Sequence, residues 1–444
     1  MENKIKLKEK AAFTLLNAGN IPVTMIVSSF LLIFYTNVVG LNPAACATLF
    51  LIARIVDAVN DPFVGFVIDR IPDTKLGHFR FTLIIGAVLC GLNYLLLWFG
   101  PLMIPAGKLA IAYISYLLLG VLFPVMDISL NSLLPVMTEE PKERNSLSTI
   151  KGMTFSLCGL ILGIAAPLII GNESEAAGYI RLIIIVVILI IGCSIIGALG
   201  VKERVHAKPE QRYGIKDLVG ILTQRPVWTF FFANLLFGVA NYIIMTVNTY
   251  YYVYIMGDFQ LYSIASLLSM AGMLPGIILS GILGNKIGKK STYILGLICY
   301  GVLPMIRLIN VTSIPVVFAS VLVANLGMGM ITPHMYGIQA DNTDYVEVKS
   351  GFRAEAAVAS LSSFVSKFSM GIGGAIPGYL LAMVGFDAAS KTQSSAVNMM
   401  IICCAVVFPG IISVIAAVIM KILYPLDKEK LLEQTEEIKK LHAK

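Results

Sequence analysis

Apolar runs of about 20 residues return along the whole of this chain, each as long as a helix must be to cross the roughly 30 Å hydrocarbon layer of a bilayer. Twelve are delimited by short charged or Gly/Pro-rich breaks, at residues 11–36, 43–68, 81–100, 107–135, 149–171, 179–200, 227–256, 260–284, 291–309, 313–338, 353–384 and 396–424. Only 13% of the residues are charged and 57% are hydrophobic, against roughly a quarter charged in ordinary soluble domains. These runs predict an all-α integral membrane protein of twelve transmembrane helices, with no soluble domain.

Basic residues gather on the cytoplasmic side of a membrane. With the N-terminus inside, most of the 33 Lys and Arg fall in cytoplasmic segments, among them Lys4, Lys6, Lys8, Lys10, Arg70, Lys75, Arg80, Lys202, Arg204, Lys286, Lys289 and Lys290. The opposite loops then keep only Lys108, Arg181, Arg307 and Lys391. That asymmetry predicts both termini in the cytoplasm of a protein embedded in the cell membrane. The net charge of +7 follows from this topology and does not point to nucleic acid, because the basic residues are spread over many loops. The charged first ten residues and the long apolar segment after them lack the pattern of a cleavable signal peptide. All seven cysteines fall within expected spans without metal-type spacing, and read as small buried apolar residues.

The longest hydrophilic stretch, 201–226, is basic and contains Pro209. It divides the chain into a six-helix bundle over 1–200, a cytoplasmic loop over 201–226, a second bundle over 227–424 and a cytoplasmic tail over 425–444. A duplicated motif supports the division. Gly65, Asp69 and Arg70, followed by Lys75, His78 and Arg80, come after span 2; Gly281, Asn285, Lys286, Gly288, Lys289 and Lys290 come after span 8. The second copy resembles the G-x-L-x-[DN]-[RK]-x-G-[RK]-[RK] loop of the major facilitator superfamily, in which two six-helix halves rock around a central site.

Six ionisable residues lie within expected spans: Arg54, Asp57 and Asp61 in span 2, Asp127 in span 4, Lys151 in span 5 and Lys367 in span 11. A charge at membrane depth costs about 2.5 to 3.5 kcal/mol or more and by default marks an ion or substrate path. Their formal charges cancel, as a water-accessible cavity with internal pairing requires. Asp57 and Asp61 stand one turn apart on one helix face, with Arg54 on the same stripe and Asn60 beside it. Two acids exceed the pairing capacity of one arginine, leaving negative charge for a monovalent cation or a proton. Binding of that ion relieves the repulsion between the carboxylates and so biases which helix arrangement is stable.

The string from Thr48 through Arg54, Asp57, Asn60, Asp61 and Pro62, preceded by Tyr35-Thr36-Asn37, resembles the first two spans of the glycoside-pentoside-hexuronide:cation symporter family. Similarity continues through Met126-Asp127-Ile128, Tyr251 to Asp258, Ala340-Asp341, Asp344-Tyr345 and Arg353-Ala354-Glu355. The resemblance implies that Asp57, Asn60 and Asp61 bind the coupling cation, Na+ or H+, and that no other cofactor is needed. It implies that Asn20, Asp127, Asn131, Lys151 and Lys367 belong to the solute site, and that Arg54, Asp341, Asp344, Arg353 and Glu355 belong to the charge network of the cytoplasmic gate. Departures stand out beside these matches. Galactoside-carrying members have a Lys-Asp pair where this chain has Asn20-Ile21, a sugar-stacking aromatic where it has Asn131, a span 5 arginine where it has Lys151, and a hydroxyl residue where it has Pro124.

The function expected is therefore cation-coupled symport of a glycoside or related small solute through the lipid bilayer. The alternatives are a carrier of the same fold for a non-sugar or amphiphilic solute, and an uncoupled facilitator. An enzyme is not expected: no paired acidic motif of a membrane transferase and no Walker motif occurs. Asn17, Asn234, Asn241 and Asn248 offer further amides to sugar hydroxyls. The tyrosines at 250, 251, 252 and 254 read first as an interfacial belt and second as a stacking face. His334 reads as a packed residue, and the tail after Pro425 as a short amphipathic helix, solvated or on the membrane surface.

Overall fold

The computed structural model describes residues 5–68, 71–72, 74, 76–138, 141–171, 175–204, 220, 223–350, 355–388, 390 and 392–442. Within these the chain is helical: α1 Leu7–Ile33, α2 Pro43–Ile68, α3 Phe79–Met103, α4 Lys108–Met137, α5 Pro141–Ile170, α6 Ala176–Gly200, α7 Arg225–Tyr250, α8 Leu261–Ile287, α9 Lys289–Gly301, α10 Ile314–Ser350, α11 Glu355–Met383, α12 Ser395–Ile402, α13 Phe408–Leu423 and α14 Lys428–His442. π-turns extend α1 over Phe34–Val38 and α7 over Tyr251–Ile255, and another joins α12 to α13 over Cys403–Val407. A 3-10 stretch, Leu303–Ile309, finishes the rod begun by α9.

Ten helical rods among the described residues are long and apolar enough to cross a membrane. Pro43–Ile68, the helix that carries Arg54, Asp57 and Asp61, includes a shorter apolar stretch, Pro43–Ala53. The chain divides into two compact units, Met1–Glu210 with Phe386–Lys391, and Gln211–Gly385 with Thr392–Lys444. All seven cysteines are free thiols, and Cys46, Cys90 and Cys404 are buried. Most of the loop expected over 201–226, and Asp69, Arg70 and Lys75 of the first motif, lie outside the described residues.

In the first unit one end of the helices is tied by charge. Glu9 of α1 receives Arg204 Nη2 on both carboxylate oxygens at 2.8 Å, and Lys10 reaches Glu143 of α5 at 2.8 Å. Both glutamates are buried, so removing either partner would strand a desolvated charge. Glu203 caps α3, accepting from the backbone N–H of His78 and of Arg80 at 3.0 and 2.8 Å, where a helix start favours negative charge.

The second unit is closed by backbone contact. A Cβ on Gly276 of α8 would lie 2.2 Å from the Leu326 carbonyl, and one on Gly329 of α10 would lie 2.2 Å from the Met273 carbonyl. Glycine at these two positions lets the helices touch main chain to main chain, the small-residue packing that holds helices together in lipid. Gly329→Val is expected to cost at least about 3 kcal/mol, the upper end of overpacking penalties, because backbone cannot turn aside as a side chain can. Its signature is loss of the monodisperse peak in size-exclusion chromatography of the detergent-purified protein.

The tail forms a short helix, and part of it packs on the second unit. Asp427 Oδ1 caps α14 by accepting from Lys430 N–H at 3.0 Å, and Leu431 packs against the core of the second unit. Lys428 Nζ donates to the Asn285 carbonyl at 2.8 Å, at the C-terminal end of α8 where a cation is favoured. Gln434, itself buried, donates to the Asp341 carbonyl at 2.9 Å. Lys428, Leu431 and Gln434 thus meet the rest of the second unit, while Glu429, Lys430, Glu433, Glu436 and Glu437 are exposed.

Candidate functional site

α2 and α4 meet at the residues expected to hold the cation. Asn60 Nδ2 donates to the Gly120 carbonyl at 3.0 Å. Asp57 is buried, and a Cβ on Gly120 would fall 2.2 Å from its Oδ1. The carboxylate occupies the space that a side chain at position 120 would take. The backbones of Arg54 and Asp61 lie in the same helix, with their side chains outside the described residues. Gly120→Ala is therefore expected to push the Asp57 carboxylate aside. The half-saturating cation concentration should rise about tenfold to a hundredfold, the cost of an ångström-scale misplacement of a ligand group, read from the cation dependence of solute-induced thermal stabilisation.

Seven residues further along α4 is Asp127, two turns or about 10 Å from Gly120 at the α-helical rise. Asn131 Nδ2 donates to Asp127 Oδ2 at 3.1 Å, and Lys151 Nζ of α5 donates to Asn131 Oδ1. The amide thereby links an ammonium to a carboxylate, receiving from one and giving to the other. Asn20 of α1 lies beside the same carboxylate, and its buried Nδ2 makes no hydrogen bond. Three helices thus bring Asn20, Asp127, Asn131 and Lys151 together. Asn17 spends its amide on the Phe13 carbonyl of its own helix, at 2.8 Å.

The remaining site residues lie in the second unit. Asp341 Oδ1 of α10 pairs with Lys289 Nζ at 2.6 Å, so its partner is a lysine of the duplicated motif. Asp344 lies on the same helix and Lys367 in α11. Arg353 and the side chain of Glu355 lie outside the described residues. Asn241 Oδ1 accepts from Tyr300 at 3.1 Å, and Asn234 is buried. His334 packs in the α8–α10 seam, its Nε2 3.2 Å from the Ser280 carbonyl. The tyrosines at 250, 251 and 252 are fully buried and so do not form a lipid-facing belt. The π-turn at 251–255 rewinds the end of α7 so that Tyr252 packs edge-on against Tyr251 and Tyr262.

Gly120, Lys289 and Gln434 were missed by sequence reasoning. Gly120 works by lacking a side chain, and Gln434 lies in an unremarkable polar tail. Lys289 alone gave a signal, since the motif copy that holds it was already evident.

The first unit thus groups Asp57 and Asn60 of α2 against Gly120 of α4, and Lys151, Asn131 and Asp127 of α4 and α5 in a hydrogen-bonded chain. The chain matches the family described as MFS/sugar transport protein over residues 15–428, and it belongs to that family, the glycoside-pentoside-hexuronide:cation symporters of the major facilitator superfamily. These are carriers and not enzymes. The chain is 31% identical over 407 residues to the isoprimeverose transporter of Lactiplantibacillus pentosus, covering 89% of this chain and 84% of that one. It is 28% identical to the putative glycoside/cation symporter YagG of Escherichia coli (strain K12), covering 81% and 79%. Among solved structures, a D-xylose-proton symporter shares the fold with a TM-score of 0.65 at 13% identity, covering 94% of this chain and 97% of that one.

Proposed function

We propose that the protein imports a glycoside together with Na+ or H+ across the cell membrane by alternating access, through twelve spans with both termini in the cytoplasm. Asp57, Asn60 and Asp61 form the cation seat in this reading. Asn20, Asp127, Asn131 and Lys151, with Lys367 from the second half, form the solute site; Arg54, Asp341, Asp344, Arg353 and Glu355 serve the cytoplasmic gate.

One observation carries the reading: α4 touches the candidate cation residues at Gly120 and carries the candidate solute residue Asp127 two turns away. Two acids one turn apart on α2 repel until a cation joins them. The cation therefore favours the helix arrangement in which α2 sits tight on α4, and the same shift of α4 presents Asp127 and Asn131 to the solute. Linkage makes the effect reciprocal, so bound solute tightens the cation. The relative named for isoprimeverose and the one named for glycosides and a cation support a sugar as cargo. Amides at 20 and 131, in place of a charged pair and an aromatic, favour a neutral polyhydroxylated solute held by hydrogen bonds.

Counterflow in proteoliposomes with labelled glycosides and pentosides tests this directly, run with Na+ and with a proton gradient in turn. At least one sugar should exchange faster than in protein-free liposomes and respond to one of the two ions. Absence of any such sugar would overturn the reading.

A further inference from the structure

The two halves end their first helices alike. The π-turns at Phe34–Val38 and Tyr251–Ile255 are each followed by a glycine at φ 70°, Gly40 and Gly257. The same backbone bonds close both: Leu41 N–H to the Tyr35 carbonyl at 2.8 Å, and Asp258 N–H to the Tyr252 carbonyl at 3.0 Å. Tyr35 and Tyr252 are therefore counterparts. Gly86 and Gly91 of α3 have the spacing of Gly296 and Gly301 of α9; Gly86 meets α4 as Gly296 meets α10, and Gly91 meets α6 as Gly301 meets α13. In that register Leu97 corresponds to Arg307.

The first half seals this corner. Tyr35 Oη donates to the Leu97 carbonyl at 3.0 Å, and Phe34 packs against Trp98 and Tyr179, each with ring centroids 4.9 Å apart. In the second half the corner holds an arginine that is only 6% exposed. Arg307 Nε donates to Ser320 Oγ, and the Tyr251 ring covers the guanidinium at 5.3 Å. Among the described residues no carboxylate pairs with it, and Nη1 and Nη2 receive no hydrogen-bond partner. The Tyr252 hydroxyl is buried without a partner and lies within electrostatic reach of Arg307. Beyond Ser320 Oγ, which accepts from Nε, and the Val311 carbonyl, which accepts from Tyr251, no acceptor among the described residues takes the guanidinium's Nη groups.

A guanidinium keeps its charge at any physiological pH, and a buried charge without an opposite one is strongly unfavourable in a protein embedded in lipid. An oxyanion with two or more oxygens answers this, two of them taking the guanidinium fork and one the phenol. We infer that Arg307 and Tyr252 form a binding site for a phosphate-type oxyanion at the outer end of the second half. The position is outer because the proposed topology places the loop after Ile309 outside, at the depth where lipid headgroups lie; the inference rests on that topology and not on the identity of the solute. Two sources carry this chemistry, the phosphodiester of an outer-leaflet lipid and free phosphate.

The test uses the full-length protein in detergent. Native mass spectrometry with added phosphatidylglycerol reads lipid retention, and thermal unfolding with added inorganic phosphate reads the free anion. Arg307→Gln should weaken retention of one phosphatidylglycerol about tenfold or more, as loss of bonds to a charged group implies, and Tyr252→Phe about threefold. If the source is free phosphate, the same ranking appears in the thermal shift and the lipid series is flat. Phenylglyoxal labelling of the wild-type protein, read by peptide mass spectrometry at Arg307, needs no variant: phosphatidylglycerol or phosphate should protect that residue. Equal binding of both probes by wild type, Arg307→Gln and Tyr252→Phe, or labelling of Arg307 that neither probe alters, overturns the inference. A protein that fails to carry any sugar can still pass this test, so the two readings fail separately.

Discussion

Asp57→Asn is expected to leave a folded carrier that exchanges solute but no longer accumulates it. The amide keeps the shape that fits against Gly120 and removes the charge proposed to hold the cation. Cation-driven uptake should fall about a hundredfold, near the upper end of ordinary coupling free energies, while solute counterflow without an ion gradient falls far less. Parallel measurement of gradient-driven uptake and counterflow in the same proteoliposomes checks it. Unimpaired accumulation by the variant would remove Asp57 from the cation seat.

Asp127→Asn should give the converse phenotype. An asparagine there can still meet Asn131, but it no longer offers a charged acceptor to sugar hydroxyls or a counter-charge for Lys151. Loss of two hydrogen bonds to a charged group predicts solute affinity lower by about thirtyfold or more. The cation alone should still stabilise the protein, because its proposed seat on α2 meets α4 at Gly120, two turns from Asp127. Calorimetry with cation and with solute, each titrated separately, reads both quantities. If the two ligands weaken together, the sites are one.

The candidate cation residues stand out because a charge in an apolar run is an energetic anomaly that needs no fold to be noticed. Asp57, Asp61 and Asn60 announce themselves by type and by spacing on one turn. The relay from Lys151 through Asn131 to Asp127 was legible only as a set of residues, since nothing in their positions along the chain says that α4 and α5 set an amide between the two charges. Gly120 was not legible at all: a glycine in a membrane helix looks the same whether it admits a neighbouring backbone or a carboxylate. Asp341 was grouped with Asp344, Arg353 and Glu355, and its ion pair with Lys289 of the motif loop could not be read from the sequence. The tyrosines after 249 misled because sequence registers their amphipathic character and not the π-turn that rotates them into the interior.

The docking of α14 bears on how the chain is made. Gln434 binds the Asp341 carbonyl, Lys428 binds the end of α8, and Tyr424 Oη donates to Asn342 Oδ1 at 3.0 Å. All three donors lie within residues 424–434, while their acceptors lie within residues 285–342. This surface of the second half is therefore incomplete until residues 424–434 have been synthesised, so its closure follows insertion of the helices that carry the acceptors.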